Sequence, residues 1–187
     1  VKVVAPATGT PTGTVTFREG PTTLSTIALA AGQAKLTVSG LTVGAHPLSA
    51  DYSGDGNVAP STSPALTETV APGPTTTVVT SSINPAVFGR PVMFTATLDV
   101  AAPAKGTPTG LVTFIVDGAT PLATVTLNAA RQATLTTSSL AVGARKITVS
   151  YLGDGVLAPS MSLPLTETIT RAATKTTGFN THLIVWL

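Results

Sequence analysis

The sequence predicts an all-β protein made of two tandem sandwiches, the first lacking its opening strands. Three observations predict it. A long stretch of sequence occurs twice, at a spacing far beyond the roughly 20–50 residues of a solenoid turn. Apolar and polar residues alternate over short runs, the period of a half-buried strand. Seventeen glycines and 15 prolines among 187 residues interrupt any long helix.

The repetition is direct. Gly9-Thr-Pro-Thr-Gly-Thr-Val-Thr-Phe17 returns 97 residues later as Gly106-Thr-Pro-Thr-Gly-Leu-Val-Thr-Phe114. Tyr52-Ser-Gly-Asp-Gly56 returns as Tyr151-Leu-Gly-Asp-Gly155, and Leu66-Thr-Glu-Thr-Val70 as Leu165-Thr-Glu-Thr-Ile169, each 99 residues on. A candidate site in one copy can therefore be checked against its twin.

The second copy, 72–170, supplies the elements in order. Thr75 to Ser81 is a β-branched run after Pro72-Gly73-Pro74. Val92, Phe94, Ala96, Leu98 and Val100 alternate with Met93, Thr95, Thr97 and Asp99, which gives one buried face. Val112, Phe114 and Val116 make the next strand, closed by the Asp117-Gly118 turn signal. Leu122 to Leu127, and Ala133, Leu135 and Thr137, predict two more. Ile147, Val149 and Tyr151 lead into Gly153-Asp154-Gly155, and Leu165 to Ile169 closes the set. About seven short strands at this spacing predict an immunoglobulin-like sandwich.

The first copy, 1–71, follows the same pattern but starts late. Val1, Val3 and Pro6 match Leu98, Val100 and Pro103, so the equivalents of residues 74–97 have no counterpart. In 171–187, Thr174-Lys-Thr-Thr177 matches the start of the second copy, after which Phe179 to Leu187 matches nothing earlier. The pattern predicts an excerpt of a longer array. A sandwich short of two strands exposes unpaired backbone and part of its core. The first copy is thus expected to be less well formed than the second, or to borrow a strand from another molecule. Full protection of a monomeric first domain from hydrogen exchange would contradict that. The junctions Ala71-Pro-Gly-Pro74 and Thr170-Arg-Ala-Ala173 are short, and a proline-containing connector limits bending. Domains of about 30 Å strung end to end would make a rod.

Composition excludes several functions. Only 10% of residues are charged and 4% aromatic, against about 25% charged in an average domain. The net charge is +2, and the ten basic residues are scattered with one adjacent pair, Arg145-Lys146. Nucleic-acid binding needs a clustered basic face with stacking aromatics. Neither is present. Cysteine is absent, which removes disulfides and thiol chemistry. No apolar run reaches the ~18 residues of a membrane-spanning helix.

Catalytic constellations fail the twin test, so no enzyme is expected. His46 becomes Arg145 in the second copy, and His182 lies in the unmatched tail. A repeated general base or zinc site is therefore excluded, and His46 reads as a surface residue at the start of a strand. The serines have no repeated His and acid to activate them. Gly-Thr-Pro-Thr-Gly lacks the Gly-Lys-Ser/Thr ending of a phosphate loop and reads as a turn entering a strand.

The Gly-Asp-Gly turns at Asp55 and Asp154 are the one metal candidate. Calcium needs six to eight oxygens, usually with several carboxylates. Each turn offers one matched acid, and the helper Asp51 has Ser150 as its twin. The ligand count fits calcium poorly, so no cofactor is expected. The competing reading is a tight turn whose Asp bonds nearby backbone amides. Tyr52 and Tyr151 end the preceding strand and are expected to close the core while the hydroxyl finds a partner. Glu68 and Glu167 share parity with inward residues; a bulge, an edge position or a pairing cation would resolve that conflict. Trp186, the lone tryptophan, marks a short apolar terminus.

These motifs resemble bacterial Ig-like repeat domains, found in tandem in large surface and secreted bacterial proteins. The resemblance rests on Gly-Thr-Pro-Thr-Gly-x-Val-Thr-Phe, Tyr-x-Gly-Asp, the Leu-x-Val-Gly-Ala turns at Leu41–Ala45 and Leu140–Ala144, and Pro60-Ser61 with Pro159-Ser160. It covers nearly all of 1–177 and implies an extracellular or cell-surface stalk or adhesin-type array, whose partners are neighbouring repeats. The expected function is a non-catalytic spacer. The alternatives are a binding module for an extracellular glycan or protein, marked by clustered aromatics or acids at one sandwich end, and an accessory domain of a secreted hydrolase. Ig-like folds host many functions, so the resemblance constrains architecture better than role.

Overall fold

Alternating apolar residues become strands throughout the described part of the chain, residues 2, 4 and 8–175 of this computed structural model. The strands fall into two compact units, Val1–Pro72 and Gly73–Leu187. The expected third-repeat start at 174–177 lies outside the described residues beyond Lys175, as do His182 and Trp186.

The first unit is a single antiparallel sheet. Its strands are β1 (Thr14–Glu19), β2 (Thr22–Ala28), β3 (Gly44–Tyr52), β4 (Ser61–Thr62) and β5 (Leu66–Val70). Both β4 and β5 pair with β3, giving the order β2-β1-β3-β4 with β5 beside β3. Val15, Phe17, Leu48, Ala50 and Tyr52 share the inner face by parity, with Val15 opposite Tyr52 and Phe17 opposite Ala50. Among the described residues no second sheet lies over that face.

The second unit is a two-layer sandwich. It contains β6 (Thr75–Ser81), β7 (Ala86–Val87), β8 (Val92–Val100), β9 (Leu111–Val116), β10 (Thr120–Thr126), β11 (Gln132–Thr137), β12 (Gly143–Tyr151), β13 (Ser160–Met161) and β14 (Leu165–Thr170). One sheet runs β10-β9-β12-β14-β7, with β13 on β12; the other runs β11-β8-β6. The alternation read in 92–100 is the burial pattern observed, with Val92, Phe94, Ala96 and Leu98 facing inward. They meet Val112, Phe114, Ile147, Val149 and Tyr151 of the opposite sheet in one continuous core. Asp117 and Gly118 both adopt positive φ, the conformation that turn composition favours. Two short strands escape a reading by alternation: β13, and β7, which pairs in parallel with β14. Two residues are too few to carry a period.

The first copy departs from its expected pattern at one element. Gln33-Ala-Lys-Leu-Thr37 repeats Gln132-Ala-Thr-Leu-Thr136, yet 34–38 forms no strand. In the second unit the matching strand β11 is held by β8, with Ala133 opposite Ala96 and Leu135 opposite Phe94. The first unit has no counterpart of β8 among its described residues. Strand formation depends on the partner as much as on the residues.

Candidate functional site

The most repeated residues converge in space, and they bind one another. Thr12, just before β1, donates both its amide and its hydroxyl to Asp55 Oδ2, at 2.8 and 3.0 Å. The other oxygen of Asp55 accepts the amides of Asn57 and Val58, each at 2.8 Å. The Tyr52 hydroxyl lies 2.7 Å from the Thr12 carbonyl and 3.1 Å from Asp55 Oδ2. The Thr12 amide, followed by that of Asn57, holds the Asp55 carboxyl well below the usual carboxylate range. Burial, then the Asp55 hydrogen bond and charge, push the Tyr52 phenol up.

The second copy builds the same latch. Asp154 accepts the Thr109 amide and hydroxyl at 3.1 and 3.0 Å, and the amides of Val156 and Leu157 at 3.2 and 2.9 Å. Burial opposes the Asp154 charge, but the Leu157 and Thr109 amides outweigh it and lower its pKa. Tyr151 occupies the place of Tyr52, its phenol raised by burial first and by Asp154 next; its buried hydroxyl sits beside Asp154 without closing a well-formed hydrogen bond. Gly153, at φ +84°, makes the turn possible, since a Cβ there would sit 2.6 Å from the Leu157 carbonyl oxygen. The Gly-Thr-Pro-Thr-Gly and Tyr-x-Gly-Asp-Gly motifs are thus two halves of one clasp, joining the start of β1 to the end of β3, and of β9 to β12.

A cation at either Asp would compete with these donors. Asp51 is committed elsewhere: Arg18 Nε approaches its carboxylate at 2.6 Å and, ahead of Thr62, lowers its pKa. No group of three or more His, Cys, Asp or Glu gathers among the described residues.

His46 requires a correction. It is not a surface residue but the third residue of β3, only 5% exposed. Its Nδ1 lies 2.5 Å from Glu19 Oε1 and its Nε2 2.7 Å from the Thr42 carbonyl. Two acceptors on one ring favour the doubly protonated imidazolium, and the Glu19 bond, then the Thr42 carbonyl, raise its pKa. Its twin Arg145 does the same work with different chemistry. Arg145 donates to the carbonyls of Ala141 and Val142 at 3.1 and 2.8 Å, and to Asp117 at 3.0 Å. In both copies a cation therefore ties the loop before the strand to an acid at the neighbouring hairpin. Identity matching missed this, because the shared property is charge and reach.

The paired glutamates part company. Glu68 is exposed, so its parity costs nothing. Glu167 is 0% exposed, and neither carboxyl oxygen has a hydrogen-bond partner. Arg145 stands directly across the ladder from it but spends its guanidinium on the hairpin and loop.

Two hollows lie on the uncovered face of the first unit. A groove of about 280 Å³ is lined by Phe17, Leu24, Leu36, Val38, Leu48 and Leu66, among others. A second hollow of about 300 Å³ shares Phe17, Ala50 and Ser63 with it. Neither contains a nucleophile with a base beside it or a stacking platform of aromatics.

The family comparison agrees with this architecture. A family model described as "Bacterial Ig-like domain (group 3)" matches residues 1–71 and 79–170. A solved structure of fibronectin(III)-like modules of Clostridium thermocellum CbhA is similar at 22% identity, covering 93% of this chain and 86% of that one, with a TM-score of 0.42. No curated protein matches the sequence.

Proposed function

Since the chain belongs to the bacterial Ig-like domain (group 3) family, we propose that it is a non-catalytic structural repeat, a spacer in a bacterial cell-surface or secreted protein. Modules of this kind are commonly non-catalytic parts of such proteins. One observation carries the reading for this chain: the matched threonines and aspartates of the clasp are consumed by the fold. Asp55 and Asp154 satisfy amides and hydroxyls of their own units rather than pointing into a cavity, and the cations His46 and Arg145 brace loops. Groups already paired inside the fold are poorly placed to serve a substrate.

The working environment under this reading is extracellular, and the partners are adjacent repeats. The test is a binding screen of the whole chain against arrayed bacterial and host glycans and purified surface proteins. No saturable binding is expected. Saturable binding abolished by substitutions in the turns around Asp55 or Asp154 would replace the spacer with a recognition module.

A further inference from the structure

The segment that leads into the second unit is seated before its first strand begins. Two residues, Ala71 and Pro72, separate Val70 at the end of β5 from Gly73. Gly73 bridges in parallel to Leu157. Its amide donates to the Val156 carbonyl at 2.9 Å, and its carbonyl accepts the Ala158 amide at 2.7 Å. Pro72 and Pro74 have no N–H to give, and a residue before proline favours the extended backbone that such a bridge requires. The fit is close: a Cβ on Gly73 would stand 2.7 Å from that of Ala104 and 3.0 Å from Leu157 Cδ2. Just beyond, the Thr75 hydroxyl donates to the Ala158 carbonyl at 2.8 Å and meets the Ser160 hydroxyl, which lies 2.7 Å from that of Thr77.

The residues that receive Gly73 are the ones Asp154 folds. Asp154 Oδ1 accepts the amides of Val156 and Leu157, which aims the Val156 carbonyl and the Ala158 amide at the connector. Asp154 Oδ2 holds Thr109, ahead of β9. We propose that connector and clasp form one coupled device: the Asp154 loop seats Gly73, and the seated Gly73 stiffens the clasp, leaving the freedom of the junction at Ala71 and Pro72. The Gly-Asp-Gly motif then fixes the entry of the chain into its repeat as well as its own turn. Coupling of this kind is reciprocal, so loosening either partner loosens the other. The assignment does not depend on the spacer reading.

Residue-resolved amide hydrogen exchange on the whole chain tests the coupling from both ends. Asp154→Asn should speed exchange of the Gly73 and Ala158 amides by about tenfold, the size of one net hydrogen bond, while β8 stays slow. Gly73→Val should do the same to the Thr109 and Leu157 amides, which bond Asp154 and not Gly73. Unchanged exchange at Gly73 and Ala158 in the first variant, or at Thr109 and Leu157 in the second, overturns the proposal. Equal acceleration across β8 and β12 also overturns it, because the whole sandwich would then be loosening rather than the seat. Should Gly73→Val fail to fold, Gly73→Ala brings a smaller intrusion and must show the same selective pattern; its absence refutes the coupling.

Discussion

The two units run nearly the same sequence through different surroundings. β9 and β12 of the second unit lie under a three-stranded sheet, and their inward residues Val112, Phe114, Ile147 and Val149 are wholly buried. β1 and β3 of the first unit keep the ladder and the clasp, but Phe17, Leu48 and Ala50 are only partly covered and Leu66 is 65% exposed. What survives without the cover is what local hydrogen bonding supplies: hairpin, clasp and cation brace. What does not form is the strand matching β11, which has no ladder partner among the described residues, and the core is shallower. The difference separates local from tertiary contributions within one chain.

The widest gap should open at the matched phenylalanines. Phe114→Ala removes a ring from a closed core and should cost about 3–5 kcal/mol of the second unit's stability. Phe17→Ala trims a ring already facing a groove, and about 1–2 kcal/mol is expected from its partial burial. Denaturant unfolding followed by residue-resolved hydrogen exchange measures both in their own units. Equal costs would mean that the first unit's face is covered in solution.

The matched glutamates turn the comparison round, because here the covered copy carries the liability. Glu167 is buried with two unpartnered oxygens, and exchanging such a group for an apolar one of similar size is often neutral or stabilising. Glu167→Leu should raise the second unit's stability by about 1–3 kcal/mol. Glu68→Leu, on an exposed side chain, should change the first by less than about 0.5 kcal/mol. A large loss on Glu167→Leu would show that the carboxyl has a partner in solution, such as a buried water.

Much of this was legible in the residues. Period-2 alternation located β8, β9 and β12. The Gly-Asp-Gly repeat marked its turn, though nothing in the sequence says that Thr12 and Thr109 supply the other half of the clasp 43 and 45 residues away. Such pairing is a tertiary fact. The brace was hidden because His46 and Arg145 differ in identity, and the burial of His46 depends on Glu19 and Thr42 closing over it. Parity alone put both glutamates inward; only the presence of an opposing sheet decides which one stays there.

The clasps should respond to acid in the same sense. Asp55 and Asp154 both have folded pKa values below their unfolded ones. Each therefore contributes stability that is present above the unfolded value, about 3.9, and is lost as pH falls through the folded value. Asp55→Asn and Asp154→Asn should each flatten the acid limb of their own unit. Because the clasp is local, the two effects should be similar despite the difference in cover; a much larger effect in the second unit would tie the clasp to the sandwich instead.

The smallest effect separates the braces. His46 has a folded pKa above its unfolded value of about 6.5, for reasons of geometry: a carboxylate on one ring nitrogen and a carbonyl on the other favour the charged ring. A raised folded value means that the brace stabilises fully below about pH 6.5 and loses its contribution as pH rises through the folded pKa. The second unit has a guanidinium in place of the imidazole, a group that does not titrate near neutrality, so its brace should show no such slope. Comparing thermal unfolding at about pH 5.5 and pH 8.5, the first unit should weaken at the higher pH while the second does not. His46→Arg should abolish the slope in the first unit, since the guanidinium meets the same loop carbonyl and an acid at the same hairpin. Arg145→His should install a slope in the second. If His46→Arg leaves the alkaline weakening in place, another group titrates there and the equivalence of the two braces fails.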